Sequence, residues 1–270
     1  VHIWDEWEID EEGFWTATQM LPDENGQLVE TKERTGIWAW KHTHGDGTTT
    51  YTRLAGDIVF EDVTFGYTDE KTVLHDVSLY AKPGQKIAFV GSTGAGKSTI
   101  FKLITGLYET NDGSIYVETN KGVHFCRATR HLFSVVPQGN MLFSGTVREN
   151  ITLLNPDATD NEIKNAITDA CAEFVYDLEN GLDFVLSEDG GGISEGQAQR
   201  LAIVRALLGN GKILLMDEST SAIDDESERR LLNNLKNRDD LTILFITHRQ
   251  SVLDCCDREI EVSNGKISES

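Results

Sequence analysis

A chain of 270 residues with 39 % hydrophobic and 26 % charged side chains and four prolines has the profile of one large folded domain or a domain with a small appendage; it excludes a disulfide-stapled miniprotein and a collagenous or disordered chain. The formal net charge of −21 opposes a phosphate backbone and no basic stripe interrupts it, so no nucleic acid is expected as a partner. No run of 18 apolar residues and no charged-then-apolar leader predicts a membrane span, and Cys126, Cys171, Cys255 and Cys256 lack metal-ligand spacing, which fits a reducing compartment.

All five tryptophans, Trp4, Trp7, Trp15, Trp38 and Trp40, fall in the first 40 residues. That stretch alternates apolar and polar residues over 2–9, 14–21, 28–41 and 48–54, with turn chemistry at Glu12-Gly13, Asp23–Gly26 and Gly45–Gly47. The pattern predicts a small, acidic, antiparallel β-meander over residues 1–56. From Asp57 the texture changes, which predicts a second unit over 57–270. Ile58–Phe60, Val63–Phe65 and Val73–Tyr80 read as strands, and Lys86–Val90 as a buried one. Helical periods follow at 97–107, 160–178, 195–208 and 225–237, with apolar runs Leu132–Val136, Lys212–Met216 and Leu241–Thr247 between them. This alternation predicts an α/β fold with a parallel sheet.

Gly91-Ser92-Thr93-Gly94-Ala95-Gly96-Lys97-Ser98-Thr99 satisfies G-x-x-x-x-G-K-[ST], after a predicted strand and at the start of a predicted helix. Its glycines let successive N–H groups wrap phosphate oxygens and the helix N-terminus adds a positive dipole end. Lys97 is placed for the β- and γ-phosphates, and Ser98 for Mg²⁺. Such a P-loop leaves kinases, GTPases, helicases and transporters open. Ile213–Glu218 narrows the choice, because an apolar strand ending in two carboxylates puts Asp217 beside Mg²⁺ and Glu218 near the γ-phosphate, where it can polarise water.

Ile193-Ser194-Glu195-Gly196-Gln197-Ala198-Gln199-Arg200 resembles the signature motif of ATP-binding cassette (ABC) proteins, with Ile193 and Glu195 in place of the commonest Leu and Gly. Taken alone it also reads as a helix cap built on Ser194. Gln138, Ser221-Ala222-Ile223-Asp224 and His248 match the family's Q-loop, D-loop and switch histidine in order, and Tyr67 resembles its adenine-stacking aromatic. Each of these alone also reads as a structural residue at a strand end.

The resemblance, over about residues 57–266, implies a P-loop NTPase core with a parallel sheet, an antiparallel β-subdomain and a helical signature subdomain. It implies catalytic roles for Glu218, His248 and Gln138, and metal ligation by Ser98, Gln138 and Asp217. ATP contacts are implied for Tyr67, the Gly91–Thr99 loop, Ser194, Gly196, Gln197 and Asp224, with Ser194 and Gly196 acting across a head-to-tail dimer of two nucleotide-binding domains. Asn140–Ile151 and Glu188 with Gly190 resemble the segments by which exporter-type cassettes meet transmembrane coupling helices and the X-loop. The implied function is Mg-ATP hydrolysis that powers export through a separate transmembrane domain, at the cytoplasmic face of the membrane. Two alternatives stand beside it: an ATP-binding switch with little hydrolysis, which Glu218 and His248 argue against, and a soluble ABC ATPase, which would carry a second cassette or coiled coils.

Overall fold

The computed structural model describes residues 13–23, 27–32, 38–44, 46–53, 56–68, 70–117, 123–124, 132–139, 142–187, 191–209 and 211–269. Its first strands are β1 (Gly13–Pro22), β2 (Leu28–Thr31), β3 (Trp38–His44) and β4 (Thr49–Arg53), all antiparallel. Their order is β2-β1-β3-β4, so the sheet departs from the expected simple meander. The segment 28–41 divides in two because β1 is long enough to pair on both edges: Gln19–Pro22 with β2, and Gly13–Gln19 with β3. Glu30 ties the four strands together. Its carboxylate accepts from Thr18 Oγ1 at 3.0 Å, Lys41 Nζ at 2.8 Å and Tyr51 Oη at 3.1 Å, one partner from each of the other strands. These bonds, Lys41 first, hold the Glu30 carboxyl below its ordinary range. The predicted strand 2–9 lies outside the described residues, as do the side chains of Trp15, Trp38 and Trp40.

At Gly56 the chain joins the body: the residue is buried, and the Thr242 hydroxyl donates to its carbonyl at 2.6 Å. There follow β5 (Ile58–Phe65), β6 (Leu74–Ala81), β7 (Lys86–Val90), α1 (Lys97–Ile104), β8 (Asp112–Val117), β9 (Val123–His124) and β10 (Phe133–Val136). Strands β6-β5-β8-β9 form the expected antiparallel sheet. The two runs on either side of Glu61 are one strand, because Asp62 at φ 52° absorbs a bulge and exchanges hydrogen bonds with the Ser78 hydroxyl.

The chain continues through β11 (Gly145–Thr146), α2 (Val147–Ile151), α3 (Asp160–Asp169), β12 (Val185–Leu186), α4 (Glu195–Leu208), β13 (Ile213–Asp217), α5 (Asp225–Lys236), β14 (Thr242–Ile246), α6 (Gln250–Leu253), β15 (Arg258–Ser263) and β16 (Lys266–Glu269). The helix expected over 160–178 ends at Asp169: Cys171 turns to φ 53° and a 3₁₀ turn takes Glu173–Asp177.

The central sheet runs β10-β13-β14-β7-β15-β16, parallel except for the last pair. Strands β7, β13 and β14 are buried on both faces, which explains why they read as continuous apolar runs. Leu214, Met216, Ile243 and Phe245 face a core shared with α3, α4 and α5; Ile213, Leu215, Leu244 and Ile246 join Ile87 and Phe89 in a core shared with α1 and the antiparallel sheet. Each such side chain contributes about 1.5–3 kcal/mol by leaving water. The register pairs Val136 with Met216, Asp217 with Ile246, and Ile246 with Phe89. The loops that follow β10, β13, β14 and β7 therefore open along one edge, where parallel α/β sheets bind ligands.

Candidate functional site

The loop after β7 is shaped by backbone. Gly91, Gly94 and Gly96 take φ of 139°, 81° and 115°, values that side chains resist. A Cβ on Gly91 would collide with the Val262 carbonyl oxygen, and one on Gly96 would come within 2.8 Å of Leu74 Cδ2. Ser92, Thr93 and Gly94 stand exposed at the tip while Ala95 and Thr99 are buried at the base. Gly96 caps α1 without a side chain, which leaves the first N–H groups of the helix facing the loop. Lys97 folds over the same loop, donating to the Gly91 carbonyl at 2.6 Å and the Ser92 carbonyl at 3.0 Å.

Beside that loop the ends of three further strands converge. Ser98 Oγ lies 3.4 Å from Asp217 Oδ2, so two hard oxygen donors of the kind Mg²⁺ takes stand together. Burial, and next the charge of Glu218, push the Asp217 carboxyl above its ordinary range. Glu218 itself sits at φ 47°, a strained value for a residue with a side chain. Its carboxylate is approached from two elements: Gln138 Nε2, after β10, donates to Oε2 at 2.8 Å, and His248 Nδ1, after β14, is 3.5 Å from Oε1. Tyr67 reaches the same region, with its hydroxyl 3.1 Å from Thr99 Oγ1, its ring edge-on to Tyr108 and Lys102 Nζ over its face.

The remaining candidates lie at the start of two helices. Ser194 caps α4 in a reciprocal box: Gln197 N–H donates to its hydroxyl at 3.2 Å, and the Gln197 carboxamide accepts from Ser194 N–H at 2.9 Å. Asp224 caps α5, and the bond from the Ser227 N–H holds its carboxyl below the ordinary range. Among the described residues no hydrogen bond joins either helix start to the 91–99 loop. Gly196 has a different neighbour, because a Cβ there would strike the Ala222 carbonyl oxygen. Two residues have roles that the sequence does not assign: Gln199, which lies in the signature-like run and clamps that loop through Ser221 Oγ (3.2 Å) and the Ala222 N–H (3.1 Å), and Arg249. Only its place immediately after His248 could have drawn attention to Arg249.

The segment after Gln138 is anchored from below. Asn150 pairs with the Phe143 backbone at 2.8 and 2.9 Å, and buried Arg205 of α4 donates to Asn150. Phe143, Leu153, Leu154 and Val185 remain exposed. Asn140, Met141, Glu188 and Gly190 lie outside the described residues. No helix among the described residues is long and apolar enough to cross a membrane.

Comparison with known proteins gives a consistent result. The sequence profile of one family, described as ABC transporter, matches residues 74–221. An ABC transporter ATP-binding protein of Bacillus subtilis (strain 168), itself uncharacterized, is 39 % identical over 222 residues, which cover 80 % of this chain and 38 % of that protein. The ATP-dependent lipid A-core flippase of Idiomarina loihiensis is 40 % identical over 225 residues, covering 80 % of this chain and 38 % of the flippase. A solved bacterial Atm1-family ABC exporter with ATP bound superposes with a TM-score of 0.74 at 32 % identity, over 80 % of this chain and 38 % of the exporter. The chain thus spans well under half the length of each of these relatives.

Proposed function

The chain belongs to the ABC transporter family, and from that premise we propose that it binds and hydrolyses Mg-ATP to power export through a separate transmembrane domain, at the cytoplasmic face of a membrane. The observation that carries the hydrolytic part is the grip on Glu218, held by Gln138 at 2.8 Å and approached by His248 at 3.5 Å, next to the half-buried Asp217 that meets Ser98. When bound, Mg-ATP supplies an electrophilic γ-phosphoryl group whose charge the metal helps to neutralise. The 91–99 N–H groups and Lys97 hold the phosphates; Ser98, Asp217 and Gln138 hold the metal. Glu218 takes a proton from water at its carboxylate, oriented by Gln138 and His248. Tyr67 offers its ring to the adenine. Ser194, Gly196, Gln197 and Asp224 serve the nucleotide of a second cassette, which makes the working unit a head-to-tail dimer.

The exposed Phe143, Leu153 and Leu154, on a segment braced by Asn150 and Arg205, with exposed Val185 of β12 paired to that segment at Thr146, support docking of a transmembrane partner there. Residues 1–56 form a separate β extension in this reading, supported by the self-contained Glu30 bonds of its strands. Glu218→Gln tests the hydrolytic reading. Turnover should fall by roughly 10²- to 10⁴-fold, the scale of a general base, with ATP affinity by calorimetry retained. Undiminished hydrolysis in that variant would sink the assignment.

A further inference from the structure

The turn after β14 raises a question of support. His248 approaches Glu218 at 3.5 Å, yet its side chain is 78 % exposed, so packing does not hold it there. The next residue supplies the hold. Arg249 N–H donates to Thr247 Oγ1 at 3.0 Å, which closes the turn. Its guanidinium spreads over the loop that follows Glu218, with Nη1 donating to the Thr220 carbonyl at 2.8 Å and the Ser221 carbonyl at 3.4 Å. Nη2 pairs with Glu228 Oε2 at 2.9 Å and Asp225 Oδ1 at 3.4 Å. A planar fork that meets carbonyls on one arm and carboxylates on the other is chemistry arginine offers and lysine does not.

Glu228 explains why the fork stays in place. It is 2 % exposed, its Oε2 also accepts from Ser251 Oγ at 2.7 Å, and its Oε1 is buried with no partner. A half-satisfied buried carboxylate is costly unless a cation stays beside it, and among the described residues Arg249 is the cation in ion-pair contact. The guanidinium also walls a cavity of about 430 Å³ with Glu228, Ser251 and Cys255, so its bonds, more than close packing, fix its direction. The loop it grips is the same one that Gln199 of α4 clamps and that the Gly196 backbone abuts.

We propose that Arg249 is a positioning residue of the hydrolytic site. It fastens the His248 turn to the 219–222 loop, which keeps the histidine against Glu218 and ties the start of α4 to the same unit. The inference rests on the hydrolytic reading of Glu218 given above. No hydrogen bond among the described residues links Arg249 to the 91–99 loop, so its loss acts on turnover and not on nucleotide affinity.

The test measures steady-state ATP hydrolysis by the full chain in the parent, Arg249→Ala, Arg249→Lys, His248→Ala, the Arg249→Ala/His248→Ala double variant and Glu218→Gln, with thermal melting of each. Arg249→Ala should lower kcat by roughly 10- to 100-fold with KM for ATP within about twofold, and Arg249→Lys should recover part of the loss. The double variant should be no slower than His248→Ala alone, because both changes disable one contact. An unchanged kcat in Arg249→Ala, a raised KM, or losses that multiply in the double variant would overturn the proposal while Glu218→Gln remains silent. Should Arg249→Ala not melt cooperatively, Arg249→Lys and Glu228→Gln, each alone and with His248→Ala, decide the same question. Full activity of Glu218→Gln would remove the hydrolytic reading and this inference together.

Discussion

Gly196 separates two reasons for a glycine. At Gly94 the reason is conformational, since φ is 81° and a Cβ would meet nothing within 4 Å. At Gly196 the angle is ordinary, and the obstacle is the Ala222 carbonyl oxygen. Gly196→Ala should therefore destabilise the chain by about 1–3 kcal/mol through overpacking against backbone, read as a lower urea midpoint. An unshifted midpoint would show that the 219–222 loop yields freely. This reason was hidden in the sequence, which suggests only close approach of an anion. Lys97, Ser98, Asp217 and Glu218 were legible because a short-range motif fixes their spacing against strand ends. Arg249 and Gln199 were not, because they act on a loop contributed by other elements and no local spacing records that reach.

Helix starts carry a double meaning of the same kind. Thr146, Thr159 and Ser194 each form a reciprocal cap, with Glu149, Glu162 and Gln197. Cap loss alone costs about 1 kcal/mol. Ser194→Ala and Thr159→Ala should thus lower stability alike, whereas only Ser194→Ala should slow ATP hydrolysis. Paired denaturation and ATPase assays check this, and equal activity in the two variants would reduce Ser194 to its cap. Among the elements, strands buried on both faces and long helices were readable from period and run length. The end of α3 was not, because the turn at Cys171 is set by tertiary packing, and two-residue strands such as β11 and β12 are too short to show a period. The split of 28–41 is not legible in the sequence, because alternation reports a strand and not its neighbours.

At the scale of the molecule, no hydrogen bond among the described residues joins the Ser194 turn to the 91–99 loop within one chain. A phosphate site completed by a second chain should assemble only around the nucleotide, and a charge of −21 on each partner weakens encounter at low salt. Sedimentation of Glu218→Gln with excess Mg-ATP should show a dimer that ADP reverses. A monomer at high concentration, with turnover in the parent independent of concentration, would rule out the head-to-tail dimer. The sheet order carries a consequence for biosynthesis. Strand β7 leads into the 91–99 loop, yet Lys86–Phe89 pairs with Ile243–Ile246 and Ile87–Val90 with Arg258–Glu261. The Gly91 backbone abuts the Val262 carbonyl, and the Gly265 N–H donates to Ala95 at 3.3 Å. A ribosome adding about 5–20 residues per second therefore leaves β7 without either neighbour for a time on the order of ten seconds. During that interval an apolar strand waits unpaired, and the 91–99 loop gains its contacts with Val262 and Gly265 only when the last strands arrive.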